Sequence, residues 1–350
     1  MRTGAVLDPG GIRLTQTEVS ELRVVSTASS HFVLWAQQGA DGGPSVVLRR
    51  LSPDGTLLDP GPRLVLDGIA GMRAAAGERD VIVIWNAGDG QRLLRALHLD
   101  ETGAPAAAPV EIGPPATRYS AVTAGDHGFV VTRGWYEEPG FMSRGRYRLV
   151  AHWLDTTGTL TQTTPIELEP EFYDWRTYAS YDGTAYRVVF ASTDAGLDLR
   201  HRRLEADGGT GITSTISPVP TEFLACTRGT CLISSVPDTS GAGDGGFTRG
   251  AIRTRLIGPS GEPLASTDLL PGLCPAGACS EPYAAAATDS FMVAVGLSTD
   301  REQDLVFVRL SADGGVLDPQ PRRIGAGLWL RGTVSLSCRA QHCTIAWQER

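Results

Sequence analysis

An all-β fold, a ring of small radial sheets forming a β-propeller, is what this 350-residue sequence predicts, and three observations carry that reading. A turn word of the type L-S-P-D-G returns about every 50 residues, short apolar runs fill each interval, and no segment keeps a helical period. A fixed period of that length built from short strands describes repeats that each form one sheet too small to bury both faces alone. The expected count is seven blades, the last a composite and incomplete one made from both ends of the chain, with six blades as the alternative.

The repeat indexes on the glycine of the turn word: Gly55, Gly103, Gly158, Gly208, Gly261 and Gly314, with spacings of 48, 55, 50, 53 and 53. An aliphatic residue stands four places before each: Leu51, Leu99, Leu154, Leu204, Ile257 and Leu310. A further copy, TGAVLDPGGIRL over Thr3 to Leu14, matches DGTLLDPGPRL over Asp54 to Leu64. The type unit is His31 to Leu66, in which the runs Phe32–Ala36, Val46–Leu51 and Arg63–Leu66 read as three strands separated by a Gly-rich loop and a Pro-Asp-Gly turn.

In chain order, a candidate innermost strand precedes each unit: LRVVSTA, GMRAAAG, RYSAVTA, RTYASY, PYAAAA and TVSLS. Their Ala, Ser and Thr content suits strands that crowd around a central axis. The second strands, HFVLWAQ, VIVIWNA, GFVVTRGW, YRVVFAS, CLISSV, FMVAVGL and CTIAWQE, are apolar on both alternating faces, as strands covered on both sides are. Trp35, Trp85 and Trp347 recur at one position there, which reads as packing between blades. Third strands number six, VVLRRL, LLRALHL, RLVAHWL, LRHRRL, IRTRLI and LVFVRL, against seven second strands. The chain is therefore expected to form one domain, 1–350, with blades near 22–66, 69–112, 117–168, 175–219, 223–270 and 282–325 and a closing blade of 331–350 plus 1–14. Passing from Gly314 through the chain ends to Gly4 leaves the closing repeat about a dozen residues short, so it lacks one strand.

Six cysteines form three C-x4-C pairs: Cys226 with Cys231, Cys274 with Cys279, and Cys338 with Cys343. The first and third flank the turn between an inner and a second strand, which sets the two positions opposite each other within disulfide reach. The second lies in a connection between blades. Zinc is the alternative, but the spacing is poor for a zinc knuckle and no Cys/His cluster accompanies it. Disulfides imply an oxidising compartment: extracellular medium, cell surface or periplasm. MRTGAVLDPGG has neither the basic nor the apolar region of a signal peptide. A start codon placed too late, or a truncated record, would remove a signal and the missing strand together.

The net charge of −8 excludes a nucleic-acid partner that needs a basic face, and no apolar run is long enough to span a membrane as a helix. All 31 basic residues are Arg, which reads as a coding bias. No nucleophile-elbow, zincin, Walker or EF-hand word occurs, so no catalytic residue, metal ligand or cofactor is assigned. GAGDGG (Gly241 to Gly246) fits G-x-G-x-x-G only formally, since no helix follows it, and SPDGT and SADGG lack the Trp and the spacing of an Asp box. The six histidines occupy no common repeat position.

Asymmetry among the repeats supplies the candidate site. The loop Gly134 to Arg146, the loop Pro237 to Gly250 and the aromatic connection Glu169 to Tyr178 depart most from the consensus. Trp135, Tyr136, Phe141, Arg144, Phe172, Tyr173 and Trp175 are expected to gather on one sector of one face, where aromatics beside a few charges suit a glycan or protein ligand.

The words R-L-S-P-D-G-T-L-L-D-P (Arg50 to Pro60) and R-L-S-A-D-G-G-V-L-D-P (Arg309 to Pro319) resemble the R-L-x-x-D-G-x-L-D repeats of secreted bacterial propeller proteins, including those called delta-60 repeats. The likeness covers every unit in weakened form. The period here is nearer 50 than 60, and the F-G that follows in that family is absent. The resemblance implies an exported bacterial propeller and no particular activity. The expected function is a non-enzymatic binding or scaffold module; a propeller hydrolase or lyase acting on a glycan at the axial mouth is the alternative, which two carboxylates facing across that mouth would favour.

Overall fold

The computed structural model describes residues 11–349 apart from 40–41, 88–92, 114–116, 138–145, 162–164, 170–171, 193–198, 207, 218–222, 236–251, 270–281, 299–302, 329 and 341. The described residues are all-β. Blade 1 comprises β1 (Glu21–Ser26), β2 (His31–Gln38), β3 (Pro44–Leu51) and β4 (Arg63–Asp67); blade 2 comprises β5 (Ile69–Ala76), β6 (Val81–Ala87), β7 (Leu94–Leu99) and β8 (Val110–Gly113). Blade 3 has β9 (Thr117–Gly125), β10 (Gly128–Glu137), β11 (Arg146–Leu154) and β12 (Ile166–Glu169); blade 4 has β13 (Phe172–Tyr181), β14 (Tyr186–Ser192), β15 (Leu199–Leu204) and β16 (Thr210–Ser217). Blade 5 has β17 (Phe223–Thr227), β18 (Thr230–Ser235), β19 (Ile252–Ile257) and β20 (Pro263–Leu269); blade 6 has β21 (Tyr283–Ala286), β22 (Ser290–Ser298), β23 (Gln303–Ser311) and β24 (Arg322–Leu328). A last sheet holds only β25 (Leu330–Arg339) and β26 (His342–Glu349). Within each sheet the strands run antiparallel in sequence order.

The turn word makes the blades. All six index glycines have positive φ, from 77° at Gly103 to 89° at Gly55, the left-handed geometry that lets a type I turn continue into a hairpin. Each turn carries the same pair of backbone bonds; in blade 1, Gly55 N–H donates to Ser52 O and Ser52 N–H to Thr56 O, both at 2.9 Å. The aliphatic residue four places before the glycine lies at or next to the end of the third strand and pairs across to His31, Val81, Phe129, Tyr186, Cys231 or Phe291.

Second strands are buried on both faces, as the unbroken apolar runs require. Phe32 and Leu34 pack with Val81, Val83 and Trp85 of blade 2, while Val33 and Trp35 turn the other way onto Leu22, Val24 and Ala346. Every full burial of such a side chain is worth about 1.5–3 kcal/mol, so the blades are held to one another chiefly by these interleaved layers. Trp35 and Trp85 are inter-blade core, and Trp347 packs with Leu305 and Val334 of the neighbouring layer.

Buried ion pairs brace three blades. Asp59 accepts from the backbone N–H of Arg50 at 2.8 Å and from its guanidinium at 2.9 Å, and Asp318 repeats the arrangement with Arg309, its Nε and Nη2 both at 2.8 Å, and with Arg322 at 2.9 Å. In blade 4 the fully buried Asp182 takes the Arg187 Nε at 2.6 Å together with the Thr184 and Ala185 N–H groups at 2.8 Å. Cys226–Cys231 and Cys338–Cys343 are disulfides between directly opposed hairpin positions, with Cα atoms 4.0 Å apart in each. Cys274 and Cys279 lie outside the described residues.

The blade count corrects the first expectation in favour of its alternative. Six four-stranded blades are present, and the two-stranded β25–β26 sheet stands between blade 6 and blade 1. Ile345 and Trp347 pack towards blade 6, Ala346 packs towards blade 1, and Val24 N–H donates to Ser335 Oγ at 2.9 Å. The N-terminal copy does not supply an outer strand among the described residues. Gly11 lies against the Trp347 ring, and the Leu14 carbonyl accepts from Arg49 of blade 1. Among the described residues no third strand pairs with β26, and the spacing of about 4.8 Å between neighbouring strands leaves an outer strand nothing to join there.

Candidate functional site

Two sets of connections share one end of the ring: those from second to third strands, and those from each blade to the next. Strands that carry five of the seven expected sector residues end or begin there. Trp135 and Tyr136 are in the last part of β10, with Trp135 opposite Thr117 and Arg148. Phe172, Tyr173 and Trp175 occupy the first half of β13 in the adjacent blade, with Phe172 opposite Ser192. The backbone thus brings these five positions to neighbouring blades on one face, with β13 packed beside both β10 and β11. Phe141 and Arg144 lie outside the described residues.

The axial channel opens on the same face, and register identifies what lines it. Counting three places along each second strand from the residue paired with the index aliphatic gives Leu34, Ile84, Thr132, Val189, Ser234 and Ala294. Their inner-strand partners are Arg23, Arg73, Ala121, Tyr178, Phe223 and Tyr283, which therefore form one level around the axis. Arg23 interacts electrostatically with Tyr283 of blade 6, and Arg73 with Tyr178 of blade 4. Neither pair belongs to adjacent blades, so both arginines lie near enough to the axis to act across it.

Each guanidinium makes one bond to the backbone and has Glu21 as its neighbouring acid. Arg23 Nη1 donates to Leu22 O at 2.7 Å and Arg73 Nη1 to Met72 O at 2.9 Å. Burial pushes Arg23 down to about 10, with the neighbouring Arg73 charge adding to the shift, and burial lowers Arg73 as well. Arg73 is nevertheless exposed and Arg23 half-buried. A group that solvent reaches but that protein surrounds is a channel-lining group. The acid nearby is already engaged: Glu21 Oε1 and Oε2 accept the Gly71 and Met72 N–H groups at 2.9 and 2.6 Å, tying blade 1 to blade 2.

A third arginine lies deeper. Arg133 of β10 takes the register position of Trp35 and Trp85 and is 1% exposed. Its Nε donates to His152 Nε2 at 2.8 Å, while its Nη1 and His152 Nδ1 meet no hydrogen-bond partner among the described residues. Burial, reinforced by Arg133, holds His152 down to about 3, so it stays neutral and can accept.

Sequence reading placed Arg23 and Arg73 inside strands valued for their small residues and missed their role. The available signal was recurrence: Arg118, Arg176 and Arg331 also occur on inner strands, in the part that starts from the loop-bearing face. Among the described residues no group of three or more His, Cys, Asp or Glu side chains is placed to hold a metal, and no helix is long and apolar enough to cross a membrane.

No protein-family model matches the chain, and no curated protein matches it in sequence. Solved structures do match in fold. The β-propeller domain of the Trilobed protease from Pyrococcus furiosus, with an open velcro topology, superposes at a TM-score of 0.53 with 8% identity, over 91% of this chain and 88% of that one. This chain is a β-propeller. One of two prolyl endopeptidases matches at a TM-score of 0.53 with 13% identity over 95% of this chain and 46% of that one, and the Neurospora crassa Pan2 WD40 domain at 0.50 with 7% identity over 95% and 89%. At these identities the likeness shows architecture alone. The two disulfides fit an oxidising, extracellular environment.

Proposed function

We propose that this propeller is a non-enzymatic recognition module that binds a glycan through the face onto which the channel and the long connections open. The observation that carries the reading is the adjacency of β10 and β13, which sets Trp135, Tyr136, Phe172, Tyr173 and Trp175 on neighbouring blades at that face. Flat aromatic rings supply sugar-binding area at low entropic cost, and a rim of arginines and acids supplies orientation. A protein ligand on the same face is the competing occupant. The disulfides and the R-L-x-x-D-G-x-L-D words support export from a bacterial cell, to the medium, the surface or the periplasm.

A glycan and peptide array on the oxidised protein tests this. Retention of one glycan class, lost on Trp135→Ala or Trp175→Ala without change in melting temperature, is the expected result. Turnover of a retained glycan would replace the reading with the enzymatic one, and retention of peptides alone would replace the ligand class.

A further inference from the structure

We propose that the channel mouth selects an acidic glycan, holding one of its carboxylates between Arg23 and Arg73; this deepens the binding reading above and rests on it. The two cations occupy one level of the ring on adjacent blades, and each spends one N–H on the carbonyl just before it in the chain. A guanidinium has five N–H donors in a planar fork that matches a carboxylate, so most of their donor capacity faces the channel. Glu21, the acid in electrostatic reach of both, has its two oxygens committed to backbone N–H groups.

Arg23 and Arg73 put two positive charges at one level of the ring on a chain of net charge −8. A cleft lined by one sign of charge focuses its field and raises the local concentration of anions. Tyr178 and Tyr283 stand on the same level, each with its ring partly buried against an inter-blade layer. The sugar part of the ligand follows from the glycan reading on which this proposal rests.

The test is calorimetric titration of the oxidised protein with a galacturonate tetramer, with maltotetraose as the neutral probe and a Glu-rich octapeptide as the acidic non-sugar. Wild type should bind the galacturonate tetramer, with affinity falling as salt rises. Arg73→Gln, on an exposed side chain, should weaken it by about tenfold or more, the loss of one charge-assisted fork, while leaving the melting temperature unchanged. Arg73→Lys should recover only part of the loss, because it restores charge without the fork. Galacturonate binding that Arg73→Gln and Arg23→Gln leave intact overturns the assignment. Binding of maltotetraose without galacturonate overturns the acidic selectivity and leaves the glycan reading standing. Arginine-dependent binding of the octapeptide alone overturns the sugar class, and failure of all three probes overturns the inference while the array decides the broader reading separately.

Discussion

Replacing Asp318 by alanine should lower the stability of the whole ring by about 3–5 kcal/mol, the usual cost of stranding a buried charge by removing its partner. Asp318 and Arg309 are 2% and 6% exposed, and the carboxylate also takes the Arg309 backbone N–H at 3.1 Å and Arg322 Nε at 2.9 Å. Deletion removes the carboxylate that takes the Arg309 Nε and Nη2 donors inside the fold. For 350 residues melting cooperatively, an unfolding entropy of about 2.1 cal/mol/K per residue converts that loss into a fall in Tm of roughly 4–7 °C. Asp318→Asn, which keeps an acceptor oxygen and loses the charge, should fall between the two. The pH dependence has a definite sign. Burial opposes ionisation of Asp318, but the Arg309 and Arg322 hydrogen bonds outweigh it and hold the carboxyl below its ordinary range. Its contribution is thus complete above about pH 4 and disappears as pH falls through the lower folded value, so the variant and wild type should converge in acid. Calorimetric melts at pH 7 and pH 3 measure both. A variant that melts within about 1 °C of wild type at pH 7 would refute the reasoning, since Arg309 would then have found equivalent solvation elsewhere.

Three further outcomes are expected. His31, His152 and His201 are buried and held down to about 4, 3 and 4, mainly by burial, so they stay neutral in the fold and take up protons on unfolding; stability should be full above about pH 6.5 and fall by about 1.4 kcal/mol per histidine per pH unit below it, and a flat Tm between pH 7 and 5 would contradict this. The paired substitution Cys226→Ser with Cys231→Ser opens a short loop and should cost about 2 kcal/mol, read as a shifted denaturation midpoint, whereas an unchanged midpoint under oxidising conditions would show that the hairpin does not need its covalent tie. His152→Ala should destabilise by leaving Arg133 without its acceptor, while Arg133→Met combined with His152→Leu should raise Tm by replacing a half-satisfied pair with apolar volume; a double variant less stable than His152→Ala would show that Arg133 is compensated in some other way.

The parts of this fold legible in sequence are those governed by local chemistry. A hairpin turn of this kind needs a residue at positive φ, so the six index glycines and the strands ending four residues before them could be read directly. The Cys226–Cys231 and Cys338–Cys343 bridges followed for the same reason, because a tight turn dictates which residues stand opposite. What depends on the ring was not legible. The words R-L-S-A-D-G-G-V-L-D-P contain both Arg309 and Asp318, yet their pairing exists only once the chain has doubled back. Arg23 and Arg73 drew no reading inside strands noted for their small residues, and only register across separate sheets places them on one level. The closing copy misled because a sequence match was read as a strand: Ile12 to Leu14 resembles an outer strand but pairs with no strand among the described residues.

The aspartate brace is distributed unevenly, and its distribution has a mechanical meaning. The place four residues after the index glycine is Asp59 in blade 1 and Asp318 in blade 6, but Ala107, Gln162, Ile212 and Ala265 in the blades between. Blades 1 and 6 are the two that flank the short β25–β26 sheet. A full-depth blade leans on full-depth neighbours from axis to rim, whereas these two stand beside a sheet that has two strands among the described residues and gives less lateral support at their outer edge. They act as the abutments of an arch with a shallow keystone, each cross-tied within itself by an ionic strut where a neighbour would otherwise bear the load. Force or heat applied to the ring should accordingly part it at the keystone while both abutments keep their shape.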